Sequence, residues 1–315
     1  MHLCMKIPGG AARKGLSAMY DTMIEKLIIV RGGGDLATGT IHCLVRCDFP
    51  VLVLETAFPS AIRRQVAFSE AVYDGSATVE GVTCRKAENP GQALDILRSG
   101  QAALLVDENC RILNEIRPWA LIDAILAKRN LGTSRSMAPR TIALGPGFIA
   151  GKDVDFVIET KRGHNLGRII TQGSAAPNTG VPGLIGGFGR ERVIHSPASG
   201  RIHPLAAIGS HVERDQIIAW IEPLTPGEHC GTNDGQIPVT ATLTGILRGM
   251  IRKDYPVTKG LKIADIDPRD SERENCFTIS DKARCIAGAV LEALLLPEPS
   301  GKNGHRNAAC FQVQD

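Results

Sequence analysis

The sequence predicts an α/β protein: a mostly parallel sheet covered by helices, then a smaller β-rich domain and a closing helix. Three observations predict it. Strand and helix signals alternate through the first half, the pattern of parallel strands joined by crossover helices. Three glycines in a row separate the first strand signal from the first helix signal. After about residue 190 the texture changes to short Val- and Ile-rich strands punctuated by Gly and Pro, and there the chain repeats itself. Composition agrees, since 315 residues with 43% hydrophobic and 22% charged side chains can bury a core, which excludes a disordered chain. A net charge of +3 is too weak to imply nucleic acid or a membrane surface as partner, and 4% aromatic residues leave few platforms for bases.

The elements follow in order. Residues 1–25 lack periodicity and read as a frayed extension, with Met23 as a candidate start. Leu27-Ile28-Ile29-Val30 and Val51-Leu52-Val53-Leu54 read as buried strands, joined by a helix that carries Ala37, Ile41, Leu44 and Val45 on one face. Asn89 is an N-cap with Pro90 at the first helical position, turning Ala93, Leu94 and Leu97 inward. Residues 102–106 form a strand, and Pro118 starts a helix with Trp119, Ile122, Ile125 and Leu126 on one face. Strands at 141–144 and 155–159 complete a Rossmann-like nucleotide-binding domain over 26–189. The longest apolar run, Cys285 to Pro297, is interrupted by Glu292 and falls short of the ~20 residues a bilayer requires. With no secretory signal and no C-x-x-C among nine cysteines, reduced thiols in the cytoplasm are expected.

The repeat occupies a β domain over 190–270. Gly200 corresponds to Gly245, Val212 to Val257 and Ile221 to Ile266, at a constant offset of 45 residues. Such spacing marks symmetric small units. Each unit reads as strand, Gly turn, strand, then a Val-led turn into an Ile-rich strand, a pattern similar to the biotinyl/lipoyl-type barrel-sandwich hybrid. Neither unit places a lysine at the Gly200 or Gly245 turn, so the expected role is scaffold, not carrier. Residues 271–297 hold a strand and a helix N-capped by Ser280, which makes Lys282 a first-turn residue; 298–315 read as a loose tail.

Chemistry concentrates in a few places. Gly32, Gly33 and Gly34 let the backbone turn sharply and expose the helix N-terminus, where an anion gains about 0.3–1 kcal/mol from the dipole. Glu55 ends the second strand, where a dinucleotide fold places the acid that holds a ribose hydroxyl. The glycine spacing is G-x-G-x-x-x-x-G, longer than the usual fingerprint, and Asp35 repels a pyrophosphate unless turned away as a cap. The loop is therefore read as a phosphate or nucleotide site, with a structural turn or another ligand in the same crevice as alternatives. Arg63 and Arg64 are candidates for phosphates. Gly145 and Gly147, with the loop carrying Glu159, Arg162 and His164, leave strands at the same sheet edge; Arg162 is a candidate for an anion, and Glu159 and His164 for moving a proton. The segments 178–183 and 185–189 read as a linker or a flap. His195, His203 and His211 recur every eight residues, but intervening glycine turns separate them, and no metal is expected. Cys43 and Cys47 read as small buried apolar residues.

Taken in order, Arg31-Gly32-Gly33-Gly34-Asp35-Leu36-Ala37, Ala61-Ile62-Arg63-Arg64, Val79-Glu80-Gly81-Val82, Ala143-Leu144-Gly145-Pro146-Gly147-Phe148, Ile158-Glu159-Thr160, Arg162-Gly163-His164 and Ser280-Asp281-Lys282-Ala283-Arg284 resemble the YqeB-type family over about residues 24–297. That family comprises accessory proteins of selenium-dependent molybdenum hydroxylases. The resemblance implies a cytoplasmic maturation factor whose partner is a xanthine- or purine-dehydrogenase-like hydroxylase subunit, and it carries over no catalytic residue. With the glycine loop, it raises the expectation of a nucleotide-bearing ligand, such as molybdopterin dinucleotide. The other two expectations are an NAD(P)-dependent oxidoreductase using Glu55 and His164, and a non-catalytic interaction scaffold.

Overall fold

The computed structural model describes residues 25–178, 180, 183–223 and 235–297. Apart from Glu25, the expected N-terminal extension with its candidate start at Met23 lies outside the described residues. So do the tail beyond 297 and residues 179, 181 and 182 of the expected flap.

Within the described residues, strands β1 (Ile28–Arg31), β2 (Val51–Glu55), β3 (Ser76–Val79), β4 (Val82–Lys86), β5 (Ala102–Val106), β6 (Ala120–Asp123), β7 (Arg140–Leu144), β8 (Phe156–Ile158) and β9 (Ile169–Ile170) form one sheet. Their order is β3-β4-β5-β2-β1-β6-β7-β8-β9. β1 is parallel to both β2 and β6, with Val30 opposite Val53 and Ile122. The strand order therefore reverses direction at β1, which opens a crevice beyond the carboxyl ends of the strands. Ile28 and Val30 pack on one face and Leu27 and Ile29 on the other, which is why the strand is a continuous apolar run and not an alternation.

Three helices matter to the site: α1 (Asp35–Arg46), α2 (Pro90–Arg98) and α3 (Asp281–Leu295). α2 begins as its sequence requires, with Asn89 accepting from the Gln92 amide at 2.9 Å. It covers the Ile29 and Leu52 face. α1 and α3 lie together on the opposite face. They approach so closely at Gly39 that a Cβ there would stand 2.8 Å from the Ala283 Cβ.

The expected architecture is corrected on several points. The sheet is mixed, with β3 and β9 pairing antiparallel at its two edges, and is not a Rossmann-like succession of strand–helix units. The connections from β5 through β8 run through loops and short 3-10 turns. The cover those crossovers omit comes from α3, at the far end of the described chain. No helix starts at Pro118: Leu121 and Ile122 are buried on opposite faces, as a strand demands. Over so short a segment, apolar residues three apart fit either structure, and the parallel partners on both sides decide.

The second part contains β10 (Val193–His195), β11 (Gly200–Pro204), β12 (His211–Val212), β13 (Ile217–Glu222), β14 (Ile237–Thr240), β15 (Gly245–Met250), β16 (Pro256–Val257) and β17 (Lys262–Asp267). The biotinyl/lipoyl-like barrel-sandwich expectation gives way to two four-stranded antiparallel sheets, β10-β17-β15-β12 and β14-β13-β11-β16. The sheets are related by the repeat, and the units exchange their short strands: β12 pairs with β15, and β16 with β11. Neither unit is complete alone, so they share one core built around Ile202, Ile221, Leu247 and Ile266. No helix among the described residues is long and apolar enough to cross a membrane.

The repeat also explains its own glycines. A Cβ at Gly200 would press into the Glu222 carbonyl oxygen, and one at Gly245 into the Asp267 carbonyl oxygen, the matching place in the other unit. Gly200→Ala and Gly245→Ala are each expected to lower stability by about 1–3 kcal/mol in urea unfolding. Gly288→Ala, in open space on α3, is expected to raise it by up to about 1 kcal/mol.

Candidate functional site

At the carboxyl end of β1 the chain turns through Gly32–Gly34 into α1, and the geometry shows what each glycine is for. A side chain at Gly32, whose φ is +93°, would meet the Ala124 carbonyl oxygen at 3.0 Å. One at Gly33 would stand 2.9 Å from the Ser69 amide, which itself donates to the Gly33 carbonyl. Gly34 alone of the three faces open space. The loop's amides already hold the protein's own acids. Gly33 N donates to Glu55 Oε2 at 2.7 Å, Thr56 N to Glu55 Oε1 at 2.8 Å, and Leu36 N to Asp35 Oδ1 at 2.9 Å. Burial pushes the Glu55 carboxyl above its ordinary value, while the Thr56 and Gly33 amides pull it back. Glu55 thus braces the loop, and Asp35, the first residue of α1, accepts the amide of the residue that follows it.

The anion-attracting surface lies across the crevice. A cleft of about 370 Å³ separates Gly34–Leu36 and residues 60–63 from the wall of β10, β15 and β17, with the first turn of α3 beside it. Six cations line it: Arg63, Arg162, Arg192, Arg248, Lys262 and Lys282. Two acids, Asp35 and Asp265, oppose them.

Arg63 is buried at the junction of the two parts. It donates to the carbonyls of Asn275 at 2.9 Å and Thr278 at 3.2 Å, with Asp35 Oδ2 at 3.5 Å. Arg192 holds both oxygens of Asp265 at 3.1 and 3.2 Å, and Arg248 approaches the same carboxylate at 3.6 Å. Each of these three arginines carries a buried Nε–H with no hydrogen-bond partner. A buried donor without an acceptor is costly, and these three arginines flank the cleft from both of its sides. Burial, with Arg248 close by, pushes the Arg63 guanidinium below its ordinary value, against the pull of Asp35 and Asp265.

At the other end Arg162 grips Asp281 with two bonds of 2.7 and 2.8 Å. Lys282 is the second residue of α3, half-buried, at a helix end whose dipole disfavours a cation. Burial and then Arg162 push its amine below the ordinary lysine value, while Asp35, Glu159 and Asp281 pull it up.

Of the residues singled out from sequence, Gly34, Asp35, Arg63 and Arg162 meet at this cleft. Arg64 instead donates from Nε to the Met250 carbonyl at 2.8 Å, tying the two parts together. Gly145 is pressed against Thr160 and Gly147 against Arg129, both at positive φ. Glu159 accepts the Lys161 and Ala176 amides, each at 2.7 Å, and holds its loop. His164 is exposed and does not line the cleft. His203 lies between Glu222 at 3.1 Å and Asp254 at 3.2 Å, and His211 is 3.4 Å from Asp270. Cys43 is half-buried and Cys47 exposed, which corrects the expected burial of both.

Arg192, Arg248, Lys262 and Asp265 escaped the sequence reading, which placed Lys282 only as a first-turn helix residue. A signal for three of them exists: Arg248, Lys262 and Asp265 stand where the first unit of the repeat has His203, Ile217 and Trp220. Departures from the repeat mark the cleft wall. A second cavity, of about 500 Å³ beyond β2 and β5, is lined by Glu88, Asp107, Glu108 and Glu115 against Arg111, a charge balance that repels anions.

No family model matches the chain. Over 272 residues, 86% of its length, it is 46% identical to a protein of Escherichia coli (strain K12) named "Uncharacterized protein YqeB". The matched segment is thus similar to YqeB over most of this chain. The chain spans about half of that relative, 48% of its length. Similar solved structures include an aspartoacylase family protein from Mesorhizobium loti, 11% identical, with a TM-score of 0.28 over 78% of this chain and 85% of that one. The product-bound ectoine utilization protein EutE (DoeB) from Ruegeria pomeroyi is 9% identical, with a TM-score of 0.22 over 82% of this chain and 63% of that one.

The Arg162–Asp281 pair has a pH signature. Hydrogen bonds from Arg162 hold the Asp281 carboxyl well below the usual carboxylate range. A depressed folded-state value stabilises above the unfolded value and loses that contribution as pH falls through the folded one. Asp281→Asn is therefore expected to lower the urea midpoint at pH 7, with a gap to the parent that narrows on acidification below about pH 4.

Proposed function

We propose that this chain binds a phosphate-bearing ligand in the cationic cleft, and that the ligand is a nucleotide-bearing cofactor such as molybdopterin dinucleotide. It acts as an accessory factor in the maturation of a selenium-dependent molybdenum hydroxylase of the xanthine or purine dehydrogenase kind. The observation that carries the binding reading is the set of six cations that line one cleft against two acids. Phosphate oxygens are acceptors of the right charge, and guanidinium groups match them in geometry. The fit is to the phosphates: Arg63, Arg162 and Lys282 stand on one part of the molecule and Arg192, Arg248 and Lys262 on the other, around one cleft. The maturation role rests on the resemblance of the ordered motifs to YqeB-type accessory proteins, and the 46% identical relative supports the YqeB-type likeness alone. In this reading the paired antiparallel sheets dock the hydroxylase and present half of the cleft.

Binding is tested by thermal unfolding of the protein with pyrophosphate, CDP, CTP, ATP, NAD, NADP and the pterin dinucleotide. A ligand at 100 times its Kd adds about 2.7 kcal/mol, which raises Tm by about 5–10 °C. Arg248→Met, which leaves the Arg192–Asp265 pair in place, is expected to weaken that ligand about tenfold or more. In cells, the same variant is expected to lower hydroxylase activity at unchanged hydroxylase abundance. Folded protein that shifts with none of these compounds would leave only the scaffold reading.

A further inference from the structure

We propose that Asp35 recognises a hydroxyl group of the bound phosphate ester, the part that sequence position suggested for Glu55. The inference rests on the cleft being a phosphate site. It follows from what the neighbouring acids are already doing. Asp265 is taken by Arg192 and Arg248, and Asp281 by both nitrogens of Arg162. Glu55 is taken by the Gly33 and Thr56 amides, and Glu159 by those of Lys161 and Ala176. Asp35 is different. One of its oxygens accepts the Leu36 amide at 2.9 Å, and the other has only Arg63 at a long 3.5 Å. Its side chain is 38% exposed on the cleft wall.

A carboxylate accepts about four hydrogen bonds, so Asp35 retains capacity for more. Its charge reaches both ends of the cleft, since it pulls up the pKa of Arg63 and of Lys282. In a site built for phosphate alone, an acid at that position only weakens binding. Its presence is explained if the ligand brings a donor to it. The six surrounding cations disfavour an ammonium there, which leaves a neutral donor. A hydroxyl beside a phosphate is the chemistry of sugar phosphates, ribose in a nucleotide among them. Sites that hydrogen-bond a substrate hydroxyl discriminate strongly against analogues lacking it, because the polar group is then left unpaired.

The test is calorimetric titration of the full chain with pyrophosphate, CDP and 2′,3′-dideoxy-CDP, repeated with ADP and its dideoxy analogue. The parent protein is expected to bind each nucleoside diphosphate about tenfold more tightly than its dideoxy form. Asp35→Asn keeps the acceptor for the Leu36 amide, and is expected to bind pyrophosphate more tightly while shrinking the hydroxyl preference to less than about threefold. Asp35→Ser, another short residue with an acceptor oxygen, should behave alike, with thermal unfolding reporting that both variants fold. If Asp35→Asn strengthens all five probes equally and leaves the preference intact, Asp35 is purely repulsive and the inference falls. Pyrophosphate binding with no hydroxyl preference in the parent also overturns it, yet leaves the phosphate site standing. Failure of the parent to bind any probe overturns the phosphate site itself.

Discussion

The cleft exists because residues 60–64 are fastened to both parts of the molecule. The Met250 amide donates to the Ile62 carbonyl at 3.0 Å, Arg64 reaches the Met250 carbonyl, and Arg63 reaches the carbonyls of Asn275 and Thr278. Gly249 permits this contact, since a Cβ there would stand 2.8 Å from the Ile62 side chain. A further clamp closes beside it, where Arg252 pairs with Glu70 and Asp74 and lies over the Tyr73 ring at 4.7 Å. With this seam in place, the wall carrying Arg192, Arg248 and Lys262 stands opposite the glycine loop. The positions of Arg192, Arg248 and Lys262 relative to that loop depend on it.

Electrostatics then divides the labour. The backbone donors that usually hold an anion at the start of a strand–turn–helix unit are here committed to Glu55 and Asp35. That arrangement orders the loop without a ligand and leaves the positive charge of the cleft to side chains from both parts. Arginine suits the purpose, because its fixed fork of donors survives burial with its charge intact. The cost is visible in unpaired Nε–H groups and in the lowered proton affinity of Arg63 and Lys282.

Much of this was legible in the residues. The strands around Ile28 and Val51, the caps at Asn89 and Ser280, and the 45-residue repeat all stand where their local chemistry put them. That Gly34, Asp35, Arg63 and Arg162 come together at the candidate cleft was legible, because they follow strands that end at one edge of the sheet. Arg64 was not separable from Arg63 by sequence: adjacent residues point apart, and one serves the seam while its neighbour reaches the cleft. Glu55 carried the expected charge at the expected place, but the Gly33 amide claimed it first.

Local rules determined what short segments do: apolar runs buried on both faces, capped helices, glycines where a Cβ has no room. Those rules act within a few residues, so the sequence alone suffices for them. Tertiary structure decided how the segments share surfaces. It turned the expected helix at Pro118 into a strand between β1 and β7, brought α3 onto α1 to cover the sheet, and exchanged short strands between the repeat units. It also assembled the cleft from residues far apart in the chain, Asp35 with Lys282 and Arg63 with Arg248. Charge, burial and hydrogen-bond partners are properties of proximity in space, and no periodicity along the chain encodes them.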